Sequence, residues 1–435
     1  MIRPDPMLVA EAFAAIDPAA VAGPDPDDQR LAHWFRARPR LGRRDRLAIA
    51  DVVFRLLRHR RLYEALARRH GSATPADRQL LARLAVDYDD PDPQALIARV
   101  EAETGALPPA ERLSLPDWLW ACLVQDEGQD RAFALALGSL QAAPTDIRVN
   151  VLKARPEAVQ RLLGEAGIDA QPIAGLPQAL RIDRRVALEQ LPAFRDGAFE
   201  RQDAGSQRIC AFAAPRRGQI VVDFCAGAGG KTLAMAALMR NQGRILAFDR
   251  SAARLERLRE RCRRAGVTIV VPLRIDDEGD PRLARYRDRA DLVLVDAPCS
   301  GTGTLRRDPG RKWRLQEHDI LHYARRQSSI VAAAARLVRP GGRLVYASCS
   351  LLRCENEAVM ATFDAEYGRQ GLQIAQIAPS SNKERATSPV VPHAPPIGAG
   401  VYVGAKESKW TPDRDGTDGF FVGVRTRLVA DHYNP

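Results

Sequence analysis

From about Leu31 to Leu140, apolar residues recur every three or four positions among many arginines, the periodicity of amphipathic helices. The best stretch runs from Asp45 to His70: Ile49, Val53, Leu56 and Leu57 form one stripe, and Arg46, Arg55, Arg58, Arg60 and Arg61 fill the rest. It reads as a helix with a basic face. Between Asp146 and Phe199 the period changes. IRVNVLKA reads as a strand, Pro156 to Ala166 as a helix ended by Gly167, and QALRID as a returning strand, which together imply a small α/β module. Apolar strands at 219–224, 244–249, 267–271, 291–296 and 343–348 then alternate with helices after Gly230, from Ala252 to Ala265 and from about Glu317 to Val338. Such alternation builds an α/β, doubly wound parallel sheet, whose ligands sit at the strand C-termini. The stretch 379–416, rich in Pro, Gly, Ser and charge, reads as a long loop before a final strand at 418–428. Three domains are therefore expected: all-helical over 1–143, small α/β over 144–198, and the large sheet over 199–430.

A formal charge of +11, carried mostly by arginine, favours an anionic partner, and RNA first, because guanidinium groups both bind phosphate and stack on bases. Arg36, Arg38, Arg40, Arg43 and Arg44 precede the basic helix and extend its face, so Arg43, Arg44 and Arg58 are candidate phosphate contacts. The seven cysteines are dispersed and never form a C-x-x-C pair, so neither a metal site nor a disulfide framework is expected. The apolar run Met7 to Ile16 is too short to span a membrane. A monomer in a reduced cytoplasm is the expectation.

The chemistry lies at strand ends. In DFCAGAGGKT (Asp223 to Thr232), Gly227, Gly229 and Gly230 remove Cβ atoms where the chain turns into a helix, and Asp249 ends the next strand, where an acid can accept from ribose hydroxyls. Cys225, Ala226, Ala228 and Lys231 complete this candidate cofactor turn. The likeness of GGKT to a P-loop fails on spacing, because Cys225 stands where its first glycine is needed, and a P-loop NTPase is kept only as a remote third reading. Two cysteines end later strands, Cys299 in DAPCSGTG and Cys349 in YASCS, and a thiolate is the side chain best suited to add to carbon.

DFCAGAGGKT, Asp249, DAPCSGTGTLRRDP followed by Lys312 and Trp313, the segment around Cys349, and DGFF (Asp418 to Phe421) stand in one order. In that order they resemble the RNA (cytosine-5) methyltransferase family, which includes the bacterial Fmu/Sun-type ribosomal RNA enzymes and the eukaryotic NSun proteins. RVNVLKA and ERQDAGSQ (Glu200 to Gln207) are similar to that family's small RNA-binding module and its entry to the catalytic domain. The resemblance implies a Rossmann-like methyltransferase sheet, S-adenosyl-L-methionine as cofactor, and RNA as substrate, ribosomal ahead of transfer RNA. It further implies that Cys349 attacks the base, Cys299 assists release, Asp296 hydrogen-bonds the base and Lys231 orients its neighbours. The acid that meets the adenine is expected at Asp276 or Asp277, and spacing favours Asp276; Lys312 and Trp313 are expected to contact RNA. Two rival readings are a DNA cytosine-C5 enzyme, in which Cys299 would attack, and a non-catalytic RNA-binding assembly factor on the same fold.

Overall fold

Asp5 caps the first helix, its carboxylate accepting from Met7 N–H at 2.9 Å, and Pro6 supplies the helical φ at the first position. The computed structural model describes residues 3–17, 27–71, 77–183, 186–368 and 401–429. Helices α1 (Pro6–Ile16), α2 (Asp27–Arg36), α3 (Arg43–Arg58), α4 (Arg60–Arg69), α5 (Arg78–Asp87), α6 (Pro93–Thr104), α7 (Pro109–Arg112), α8 (Asp117–Glu127) and α9 (Gln129–Ser139) bury their stripes against one another. Leu305, Ile320, Leu351 and Leu352 from the larger sheet's loops and helices join that same core.

The Asp45 to His70 stretch is not one helix. It breaks at His59, because the groups that would carry the ladder across are otherwise engaged. Arg61 N–H donates to Ser114 Oγ at 3.0 Å, and the Leu57 and Arg58 carbonyls accept from the side chains of Trp313 and Lys312. The break thus docks the helical layer on the motif that follows Cys299.

A four-stranded sheet comes next, from β1 (Thr145–Val149), β2 (Gln171–Ile173), β3 (Leu176–Ile182) and β4 (Phe199–Arg201), in order β2-β3-β1-β4. Helix α10 (Pro156–Glu165) contributes Val159 and Leu163 to its core, which Phe199 of β4 shares, so this sheet reaches past residue 198. A short helix α11 (Pro192–Arg195) leads to β4, and α12 (Ala204–Ala213) leads onward.

The larger sheet contains β5 (Ile220–Asp223), β6 (Arg244–Asp249), β7 (Val270–Arg274), β8 (Ala290–Asp296) and β9 (Val338–Ser348) in parallel. Helices α13 (Gly230–Leu238), α14 (Ala252–Ala265), α15 (Arg311–Arg314), α16 (Glu317–Ala335) and α17 (Glu357–Tyr367) connect its strands or pack on it. Val222 and Val293 feed a core on one face, Val221 and Leu292 a core on the other, which is why these strands read as continuous apolar runs. The residues 402–415 correct the expectation of a loop. There β10 (Tyr402–Trp410) pairs antiparallel with β11 (Phe420–Arg427), itself antiparallel to β9, and α18 (Pro412–Asp415) joins them. Charged residues and Gly404 conceal this edge strand, since an edge needs no unbroken apolar run. The part of that stretch before 401 lies outside the described residues. The complete order is β10-β11-β9-β8-β5-β6-β7, the reversal between β5's two neighbours placing a crevice at the strand C-termini.

Candidate functional site

Into that crevice opens a cavity of about 880 Å³, and the turns after β5, β6, β8 and β9 all line it. The β5 turn contributes Cys225, Ala226, Gly227, Ala228, Gly230 and Lys231. Gly229, at φ +85°, is the left-handed cap of α13, and a Cβ there would lie 2.1 Å from Leu258 Cδ1 on α14. Only glycine lets the turn and α14 approach so closely. Asp249 holds the turn's shape: its carboxylate accepts from Gly227 N–H at 2.9 Å and from Ser251 N–H at 2.8 Å, while the residue still lines the cavity. Behind the turn, burial pushes Asp223 up to about 7 against the hydrogen bond it accepts from Thr232 Oγ1 at 2.6 Å. Cys225 is also pushed up by burial, which keeps its thiol protonated and unreactive.

Asp276 pairs with Arg274 and Arg282 at 3.6 and 3.2 Å, its side chain 71% exposed, and is not among the residues lining the cavity. Asp277, with Ile275 and Glu278, lines the cavity instead. Of the two acids expected to meet the adenine, Asp277 lines the cavity and Asp276 does not.

Beyond β8 and β9 the two sulfurs meet, Cys299 Sγ lying 3.1 Å from Cys349 Sγ. The pair is unequal. The hydrogen bond from Cys299 pulls Cys349 below the ordinary thiol value; burial and Asp296 oppose this, and Arg311 and Lys231 assist. Cys299 is held well above it, by that same hydrogen bond, by burial and by the nearby Cys349 and Glu355. The surroundings thus favour charge on Cys349 over charge on Cys299. Lys231 Nζ donates to Asp296 Oδ2 at 2.7 Å and lies 5.6 Å from the centre of the Phe420 ring. Among the described residues, no group of three or more His, Cys, Asp or Glu side chains is arranged to hold a metal ion.

The basic residues divide. Arg43 and Arg44 are exposed at the start of α3. Arg58 and Lys312 are buried and not available to RNA, which corrects the expectation for those two, while Trp313 is half-buried. Arg58 donates to the Arg306 carbonyl at 3.1 Å and Lys312 to the Arg58 carbonyl at 2.8 Å. Trp313 Nε1 donates to the Leu57 carbonyl at 2.8 Å. Burial, with Arg58 nearby, pulls Lys312 well below its ordinary value. The side chains of Lys312 and Trp313 cap the C-terminus of α3, whose carbonyls favour donors there.

Sequence reading passes over Arg311 and Glu355. Arg311 lines the cavity and donates to the carbonyls of Ser300 and Cys299, the latter at 2.8 Å, but in the sequence it is one arginine among many. In DGFF, Asp418 is buried and accepts from Arg306 Nε at 2.5 Å and from Arg307, tying the Cys299 loop to β11, while Phe420 lines the cavity. Gly303 packs so closely there that a Cβ would lie 2.2 Å from the Gly419 carbonyl oxygen.

The left-handed turn, the open space beside Gly227 and the carboxylate of Asp249 fit a nucleoside cofactor, with apolar Phe224 and Ile275 beside it. Comparison with known proteins agrees. Residues 210–424 match the family of 16S rRNA methyltransferases RsmB/F, and residues 115–189 match the RsmF/B-like ferredoxin-like domain. A "Ribosomal RNA small subunit methyltransferase B" from Xylella fastidiosa is 32% identical over 423 residues, 89% of this chain and 90% of that one. A "Probable ribosomal RNA small subunit methyltransferase B" from Synechocystis is 36% identical, with 58% of this chain aligned to 57% of that one. Among solved structures, PH0851 superposes with a TM-score of 0.71 at 26% identity, covering 98% of this chain and 99% of that one. A methyltransferase homologue from Pyrococcus horikoshii gives 0.57 at 26% identity, covering 74% of this chain and 98% of that one. With similarity to the Xylella relative over almost its whole length, and with the glycine turn and paired strand-end cysteines at one cavity, the chain belongs to the RsmB/F family of ribosomal RNA methyltransferases.

Proposed function

We propose that this protein methylates carbon C5 of a cytosine in ribosomal RNA through a covalent bond between Cys349 and carbon C6. The observation that carries the reading is the pair of sulfurs 3.1 Å apart in the cavity that also holds the glycine turn. S-adenosylmethionine, the cofactor of this enzyme, supplies when bound an electrophilic methyl group, which the turn 225–231 and Asp249 would hold beside the base. Cytosine C5 is too weak a nucleophile unaided. Addition of the Cys349 thiolate to C6 breaks the C5–C6 double bond and places electron density on C5, while Asp296 hydrogen-bonds the base as charge develops on it. Lys231 keeps the Asp296 carboxylate aimed. Once C5 carries its methyl, solvent water takes the C5 proton, the C5–C6 double bond re-forms and the C6–sulfur bond breaks, with Cys349 leaving as a thiolate that the Cys299 thiol, in contact with it, would stabilise.

Transcribed small-subunit RNA incubated with enzyme and labelled cofactor, then digested to nucleosides, should give 5-methylcytidine. A methyl group on nitrogen or ribose would remove the need for a thiolate and sink the reading. Preference for duplex DNA, with Cys299 forming the adduct, would favour the DNA-enzyme alternative; cofactor binding without transfer to any RNA would favour the assembly factor.

Two consequences follow for binding. Asp249→Ala should weaken binding of the demethylated cofactor by roughly 1–3 kcal/mol, since it removes a charged acceptor and frees Gly227 N–H from the bond that shapes the turn. Unchanged calorimetric affinity would place the ribose elsewhere. Reversing the charge of Arg43 and Arg44 should lower RNA affinity and flatten its salt dependence, because fewer counterions are released on binding. An unaltered salt slope would make these arginines a solvated face only.

A further inference from the structure

Strand pairing between β8 and β9 ends at Asp296 and Ala347, so it does not fix the two cysteines beyond it. Behind both turns lies Glu355, fully buried. Its carboxylate accepts from Ser300 N–H at 2.8 Å, from the Ser300 hydroxyl, from the Ser350 hydroxyl at 2.6 Å and from Gln327 Nε2 at 3.0 Å. Ser300 and Ser350 are the residues that follow the two cysteines. Asn356, equally buried, brackets Cys349: its Nδ2 donates to the Ser350 carbonyl at 2.9 Å, and the Ser348 hydroxyl donates to its Oδ1. Direct bonds between the turns complete the clamp, Leu351 N–H to Thr302 Oγ1 and Gly303 N–H to the Cys349 carbonyl, both at 2.9 Å.

A carboxylate in such a place is costly to bury, and no lysine or arginine pairs with it among the described residues. Apolar packing would fill the same space at less cost. What the carboxylate supplies, and a hydrocarbon could not, is a set of directed bonds reaching both turns at once. Resting on the two-thiol reading above, we infer that Glu355 is a positioning residue for methyl transfer: its carboxylate fastens the Cys299 turn to the Cys349 turn and thereby sets the contact between the two sulfurs.

The charges around the thiols act in the same direction. Cys299 faces Cys349, Glu355 and Arg311, whereas Cys349 faces Cys299, Asp296, Arg311 and Lys231. The negative charge of Glu355 lies on the Cys299 side and favours the protonated form of that thiol. The clamp therefore bears on which sulfur ionises as well as on where the sulfurs lie.

The test is Glu355→Gln in the full chain, which keeps side-chain shape and removes the charge and two acceptor sites. Iodoacetamide labelling without RNA, resolved by cysteine and followed against pH, should favour Cys349 strongly in the wild type. In Glu355→Gln that preference should fall roughly tenfold, because an ordinary thiol pKa separates the two sites less. Turnover should fall about a hundredfold, as for reacting groups displaced by an ångström, with KM for the cofactor unchanged; Glu355→Asp should recover part of both. A folded Glu355→Gln protein with wild-type labelling preference and turnover would overturn the inference, as would a lowered melting temperature with the preference intact. Should the variant fail to fold, Ser300→Ala removes a single hydroxyl from the clamp and must shift the preference in the same direction; an unmoved preference there overturns the inference equally. Failure of the two-thiol reading would appear separately, as a covalent RNA complex that survives Cys349→Ala.

Discussion

Cys349→Ala is expected to yield no methylated RNA and no covalent complex, whereas Cys299→Ala should accumulate a covalent enzyme–RNA species visible on a denaturing gel. The asymmetry comes from the contact itself. The sulfurs are in contact at 3.1 Å, and burial and Glu355 raise Cys299 while the contact lowers Cys349, so with Cys299 as donor the Cys349 thiolate is the stabilised one. Without Cys349 no ionised sulfur is left to activate the ring, and turnover should fall by several orders of magnitude, as when a nucleophile is removed. Without Cys299 the remaining thiolate loses one donor but keeps Arg311 and Lys231 nearby, so attack persists. What is lost is assistance at the leaving sulfur, and the adduct is stranded. Methyl transfer on this variant should therefore proceed through one turnover and stop. If instead the adduct vanishes with Cys299 and persists without Cys349, the order of chemistry is that of the DNA-type enzyme.

Features written in local pattern were legible in the sequence; features made by distant contact were not. The alternation that gives β5, β6, β8 and β9 needs only apolar runs with helices between them, and a parallel sheet buried on both faces produces those runs. The glycine turn was legible because its φ values demand glycine. Strand β10 was not, because its pairing lies with β11 across α18 and its outward positions are charged. Lys312 and Trp313 show the harder limit. A basic and an aromatic residue after a reactive loop suggest RNA contact, yet they close the end of α3, some 250 residues earlier, as the separations of 254 and 256 in their hydrogen bonds show. No periodicity records such a contact. Asp276 and Asp277 differ by one position, and spacing alone does not separate the one that lines the cavity from the one that does not.

Asp296→Ala should abolish methylation and also destabilise the fold in a pH-dependent way, and the two effects can be separated. The Lys231 ammonium is nearly enclosed, its side chain 10% exposed, and Asp296 is its partner at 2.7 Å. Burial opposes its charge, but the Asp296 carboxylate outweighs burial and holds Lys231 above its ordinary 10.5. In the wild type this pair contributes stability that is fully present below 10.5 and is lost only at still higher pH, so the neutral range should be flat. Removal of Asp296 leaves burial opposed only by the Cys210 and Cys349 sulfurs, and the folded-state pKa of Lys231 should then drop below the unfolded one. Between those two values the unfolded chain binds the extra proton, so the stability of Asp296→Ala should rise with pH up to about 10. The loss at neutral pH should lie between the ~1 kcal/mol of an exposed pair and the ~3–5 kcal/mol of a buried one, since Asp296 is itself 31% exposed. Lys231→Met combined with Asp296→Ala removes the stranded charge and should restore a flat profile in urea unfolding. It should not restore methylation, because the group that meets the base is still missing, and general acid–base assistance alone accounts for roughly 10²–10⁴-fold in rate. Recovery of turnover in the double variant would show that Asp296 serves Lys231 rather than the cytosine.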